Sequence, residues 1–238
     1  MLNSSFLDLF TIQILNIMQL QIRLFYILFF FSISYALTAQ DKEQDKTPFE
    51  TALEGFEFRS VGPAFMSGRI ADIAIDTNNE SIWYVAVGSG GTWKTTNAGT
   101  TWTPLTDDQP FYSTGCITID PNNSSTIWLG TGENVGGRHV GIGHGVYKSD
   151  DAGASWTDMG LKKSEHISKI IVHPSNSNII WLASQGPLWS SGGERGLYKS
   201  TDGGKSWRNT LSINEWTGVT DLVIDPNNPD ILYAASWQ

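Results

Sequence analysis

From residue 68 onward the chain is a succession of short apolar runs broken by turn residues, and the runs recur as a set. An apolar, β-branched run comes first: Ile73-Ala-Ile75, Ile117-Thr-Ile119, Ile170-Ile-Val172 and Leu222-Val-Ile224. A polar turn follows: Asp76-Thr-Asn-Asn, Asp120-Pro-Asn-Asn, His173-Pro-Ser-Asn and Asp225-Pro-Asn-Asn. A second apolar run then carries Trp83, Trp128, Trp181 or Tyr233. Two β-rich runs joined by a Pro/Asn turn predict an antiparallel hairpin.

A second phrase punctuates the first. It reads [Ser/Thr]-x-[Asp/Asn]-x-Gly-x-[Ser/Thr]-Trp and appears with Asn97, Gly99 and Trp102, with Asp151, Gly153 and Trp156, and with Asp202, Gly204 and Trp207. Its three tryptophans stand 54 and 51 residues apart, a fixed period that marks a repeat architecture. Each copy predicts a tight turn. The Asn or Asp bonds forward to backbone N–H groups, the glycine supplies a positive φ, and the tryptophan opens the next strand and lays its ring back over the hairpin. Combining the two phrases gives four antiparallel strands per period, the make-up of one propeller blade. The expected fold is therefore an all-β propeller with blades at about 68–105, 112–159 and 165–210 and an incomplete one at 217–238. Phe56–Val61 is a further candidate strand. Propellers carry about 4–8 blades, and an open arc leaves a blade face uncovered, so the rest of the ring is expected C-terminal to Gln238.

The repeated turn resembles the Asp-box, or BNR repeat, of sialidases, xyloglucanase-type hydrolases and sortilin-like propellers. Across Phe56–Gln238 the chain most resembles secreted bacterial proteins described as sortilin-like or as BNR-repeat glycosyl hydrolases. The resemblance implies the fold, and it implies either glycan hydrolysis or the binding of glycan, protein or peptide. Two departures bear on that choice. The sialidase phrase Phe-Arg-Ile-Pro is broken here to Phe58-Arg59-Ser-Val-Gly-Pro63. The xyloglucanase-type phrase Thr-Asp-x-Gly-Gly becomes Val87-Gly88-Ser89-Gly90-Gly91, with no carboxylate ahead of the two glycines. Neither Gly88 nor Ser89 can replace a carboxylate base, so the leading expectation is a binding scaffold. A glycoside hydrolase, xyloglucanase- or sialidase-like, is the alternative.

Composition narrows the partners. With 24 acidic residues against 15 basic, a net charge of −9 removes the basic footprint that nucleic acids require and gives no reason to expect anionic-lipid binding. Residues 1–40 read as a leader, in which Met18–Arg23 supplies a charged start and Leu24–Leu37 an apolar core too short for the ~20 residues of a membrane span. Thr38-Ala39-Gln40 offers a cleavage site, and Met18 is the candidate true start. Residues 41–54 are polar and charged, a flexible lead-in. The layout predicts a secreted, periplasmic or cell-surface protein with no membrane segment beyond the leader. Cys116 is the single cysteine, so no intrachain disulfide is available.

In a propeller the Pro/Asn turns and the repeated turns fall at one end of each blade and the longer loops at the other, where binding residues concentrate. The longest loop, Gly132–Gly145, offers Glu133, Arg138, His139 and His144. Gln185–Arg195 offers Trp189, Glu194 and Arg195, and the inter-blade links add Asp107, Asp108, Phe111, Tyr112, Glu215 and Trp216. Tryptophans among carboxylates are the palette of a carbohydrate site. Candidate ligand-binding residues are Glu133, Arg138, His139, His144, Trp189, Arg195 and Trp216. Hydrolysis would draw two carboxylates from Asp72, Glu133, Glu194 and Asp221, since most glycosidases need such a pair. Asp72, Cys116, Lys169 and Asp221 occupy one repeated position on the innermost strands, predicted to face the central channel. No cofactor or metal is expected, because two histidines in a glycine-rich loop are not a ligand signature.

Overall fold

A computed structural model describes residues 21–25, 68–134 and 140–238. The chain divides into two units, Met1–Gly62 and Pro63–Gln238. Of the first, residues 21–25 are described, and they are helical. The rest of the leader, the lead-in, the Phe56–Val61 strand, Arg138 and His139 lie outside the described residues.

The second unit is a β-propeller built of antiparallel blades. The first sheet holds β1 (Ile70–Ile75), β2 (Trp83–Val87), β3 (Gly91–Thr95) and β4 (Thr103–Pro104). The second holds β5 (Thr114–Asp120), β6 (Asn123–Thr131), β7 (Val146–Ser149) and β8 (Thr157–Asp158). The third holds β9 (Ile167–His173), β10 (Asn176–Ser184), β11 (Gly196–Ser200) and β12 (Arg208–Leu211), and the fourth β13 (Gly218–Ile224) with β14 (Leu232–Trp237). Strand order within each sheet follows the chain.

The core lies between blades. Tyr84, Ala86, Ile117, Ile127 and Leu129 fill the first interface, Trp128, Ile167, Ile170, Ile180 and Leu182 the second, and Trp181, Ala183, Val219 and Leu222 the third. Aligning the hairpins by their Ile-Trp dipeptide equates Trp83 with Trp128, and the register corrects this. Ala74 pairs with Tyr84, as Thr118 does with Trp128, Ile171 with Trp181 and Val223 with Tyr233. Ile75 pairs with Trp83 as Ile119 does with Ile127, Val172 with Ile180 and Ile224 with Leu232, so the connections are equal in length and Tyr84 is the inward aromatic. A one-residue slip on a strand moves a side chain to the opposite face.

The repeated turns are held as their sequence predicts. Ser149 Oγ donates to Asp151 Oδ1 at 2.7 Å, Gly153 N donates to Ser149 Oγ at 2.8 Å, and Asp151 accepts from Ser155 N at 2.8 Å and Ser155 Oγ at 2.6 Å. Asp202 and Asn97 repeat the pattern. Gly99, Gly153 and Gly204 have φ of 85°, 92° and 86°. Trp102 lies edge-on to Trp83 of its own sheet, with ring centroids 6.4 Å apart, and the other two tryptophans depart from expectation. Trp156 Nε1 donates to Leu105 O at 3.1 Å and Trp207 Nε1 to Met159 O at 2.8 Å, so each ring packs on the preceding blade instead of its own hairpin. The glycine conformation makes room for this docking: a Cβ at Gly153 would lie 2.5 Å from Leu105 Cδ1, and one at Gly204 would collide with the Trp128 ring.

Each innermost strand also carries one β-bulge, at residues 71, 115, 168 and 220, where the register skips. A bulge re-aims the side chain beside it. The residue that follows is in turn Asp72, Cys116, Lys169 and Asp221, the set singled out from its spacing.

Candidate functional site

The β2–β3, β6–β7 and β10–β11 loops and the links between blades share the end of the sheets opposite the repeated turns. Arg195 organises this face around blade 3. It is 6% exposed, and its guanidinium donates five hydrogen bonds, all to backbone carbonyls. Nε reaches Gly192 O at 2.7 Å; Nη1 reaches Gln185 O at 3.3 Å and Trp216 O at 2.6 Å; Nη2 reaches Pro187 O at 2.8 Å and Ser190 O at 2.9 Å. A guanidinium has five N–H groups, so Arg195, expected to meet a ligand, here ties the β10–β11 loop to the link before β13. Gly192 N to Glu215 O at 2.8 Å adds a second tie. The two loops present Trp189, 75% exposed, and Trp216, 47% exposed, from one braced frame.

The loop after β6 is braced differently. Glu133 is 1% exposed and accepts from Arg69 Nε at 2.6 Å and Nη2 at 2.5 Å, across 64 residues of sequence. A buried carboxylate requires such a partner. Its main-chain oxygen accepts from His166 Nδ1 at 2.8 Å, and burial holds the pKa of His166 below its ordinary value, so that ring is neutral with Nε2 as the acceptor. Gln185 Nε2 donates to the neighbouring Asn134 O at 3.2 Å. Arg69, His166 and Gln185 were not singled out from the sequence, because their partners are distant in the chain and no local pattern marks them.

The other candidate carboxylates are also engaged. Asp72 accepts from Ile73 N at 3.0 Å and Ile117 N at 3.1 Å and lies 3.7 Å from Lys169 Nζ. Burial first, then Asp72, pushes the Cys116 thiol up to about 12, which leaves it protonated and unreactive. Asp221 accepts from Leu222 N at 2.8 Å and Glu194 from Lys163 N at 2.8 Å. Asp72, Cys116 and Lys169 thus come together across three blades, whereas Glu194 belongs to the blade 3 loop. His144 is exposed and lines a cleft of about 520 Å³ with Asp107, Gln109, Tyr112 and Ile142, at the rim of blades 1 and 2.

No protein-family model matches the chain. It is similar to a probable oligoxyloglucan-reducing end-specific xyloglucanase of Neosartorya fischeri, 22% identical over 209 residues, covering 78% of this chain and 23% of that protein. Among solved structures it is similar to an ancestral GH74 enzyme, with a TM-score of 0.57 and 24% identity over 71% of this chain and 22% of that one. It is also similar to an auxiliary nutrient binding protein of Bacteroides thetaiotaomicron, with a TM-score of 0.51 and 10% identity over 71% of this chain and 36% of that one. The structural likenesses establish the β-propeller fold. The chain spans about a quarter of the length of the curated relative.

Proposed function

We propose that this chain is part of a secreted Asp-box propeller that binds carbohydrate through its loop face and acts as a scaffold. The carrying observation is the Arg195 brace, which holds Trp189 and Trp216 exposed on two cross-linked loops. Indole rings fixed in advance stack on sugar rings with little ordering cost on binding. The named activities of the relatives, xyloglucanase and nutrient binding, support a carbohydrate ligand. The secretory reading rests on residues 1–40. A scaffold is favoured over a catalyst because Asp72, Glu133, Glu194 and Asp221 each accept hydrogen bonds from the propeller's own groups, and because Gly88-Ser89 offers no carboxylate where the xyloglucanase-type one would be. The hydrolase reading draws its support from the xyloglucanase likeness, and a peptide ligand is the other form of scaffold.

Affinity electrophoresis in gels containing xyloglucan, paired with a reducing-sugar assay, tests this. Retardation without sugar release, lost in Trp189→Ala, is the expected result. Sugar release abolished by Asp72→Asn would establish the hydrolase instead, and unretarded migration beside capture of a peptide library would establish the peptide scaffold.

The open ends of the arc are read as seats for further blades of the same kind in a longer protein. Ile73 is 52% exposed while its counterparts Ile117, Ile170 and Leu222 are 2%, 1% and 1%. Tyr233 is 63% exposed while Tyr84, Trp128 and Trp181 are 1%, 0% and 4%. The two faces are the two halves of one repeated interface.

A further inference from the structure

The cleft at the rim of blades 1 and 2 is a separate site from the Trp189–Trp216 pair. Its floor is closed and hydrogen-bonded. Gly90 N and Gly91 N both donate to Tyr112 O, at 3.3 and 3.0 Å, which also fixes the backbone that carries the Tyr112 ring. Thr106 Oγ1 accepts from Thr92 N at 2.8 Å. Ser113 Oγ lies 2.7 Å from Gly88 O and 3.0 Å from Gly141 O, pinning the β6–β7 loop beside the cleft. Phe111, 4% exposed, packs against Tyr147 with ring centroids 4.3 Å apart and anchors the link from below.

Against this rigid floor stand four side chains that no hydrogen bond or ion pair engages among the described residues: Asp107, Gln109, Tyr112 and His144. Together they offer acceptors, donors and one 65%-exposed aromatic ring. Among the described residues no lysine or arginine lines the cleft, so there an anionic ligand would meet Asp107 without a counter-charge. Hydroxyl groups, each both donor and acceptor, match the mixed set, and the ring suits an apolar pyranose face. A volume of about 520 Å³ falls within the ~300–1,000 Å³ of small-ligand sites.

We propose that this cleft binds a neutral pyranose unit, with Tyr112 stacked on the ring and Asp107, Gln109 and His144 bonded to its hydroxyls, and that it rejects uronic and sialic acids. The proposal rests on the carbohydrate reading but on none of its residues. Titration calorimetry with cellotetraose and with tetragalacturonate, on the intact chain and on Tyr112→Ala, Asp107→Asn and Trp189→Ala, tests it. All three positions are exposed, and unchanged thermal melting confirms the fold of each variant. Cellotetraose binding about tenfold weaker in Tyr112→Ala and in Asp107→Asn, with tetragalacturonate silent, is the expected result. Binding lost in Trp189→Ala but intact in the other two overturns the cleft and leaves the broader reading standing. Equal affinity for the galacturonate overturns the charge argument. Silence of the intact chain toward both sugars overturns cleft and carbohydrate reading together.

Discussion

At the scale of single residues, the repeated turn links a glycine's backbone to a neighbour's packing. Gly153 has a φ of 92°, and a Cβ there would press on Leu105, the residue whose carbonyl receives Trp156. Gly153→Val is expected to destabilise by about 2–4 kcal/mol, from a strained backbone and an overpacked seam, measurable by denaturant unfolding. The same turns set an acid limit. The Ser155 hydroxyl and amide, then Ser149, hold the Asp151 carboxyl down at about 2, and Ser206 and Ser200 do the same for Asp202. A carboxyl with a depressed folded-state pKa contributes stability above its unfolded value of about 4 and loses it as pH falls toward 2. Thermal melting between pH 5 and pH 2 is expected to fall through that window. Asp151→Asn with Asp202→Asn should flatten the fall, since Asn97 already fills that position in the first turn without titrating.

At the scale of elements, the loops draw their rigidity from cross-links the chain cannot show locally. Arg195 joins two loops through five carbonyls, and the planar fork is what permits this geometry. Arg195→Lys retains the charge and offers three donors on a flexible stem. It is expected to speed amide hydrogen exchange across residues 186–194 and 212–217 and to weaken xyloglucan retention, with the melting temperature moved less than in Gly153→Val. Unchanged exchange would show that Gly192 and Glu215 hold the loops alone. Such braces were invisible beforehand: Arg195 and Trp189 were legible as a loop pairing of cation and aromatic, whereas the direction of the guanidinium, into carbonyls rather than toward a ligand, depends on where residue 216 returns in space.

At the scale of the whole unit, equivalent positions have unequal worth because Ile73 on the first sheet and Tyr233 on the fourth are exposed where their counterparts are buried. Ile117→Ala is expected to cost about 2–4 kcal/mol, and Ile73→Ala, at the same repeat position, under about 1 kcal/mol. Similar costs for both would mean that the front of blade 1 is covered in solution. Strand order, blade succession and the turns were legible in the sequence because each rests on local pattern: short apolar runs, Pro/Asn turns, and an Asp or Asn two residues before a glycine and four before the serine or threonine it bonds. What the tertiary structure decided is everything carried by contact between blades. It assigned Tyr84 rather than Trp83 to the interface, docked Trp156 and Trp207 on the blade before each, paired Glu133 with Arg69, and bulged every innermost strand. The physical reason is that periodicity prescribes which way a residue faces within its own hairpin, while its partner, and hence its role, is set by the stacking of one blade on the next.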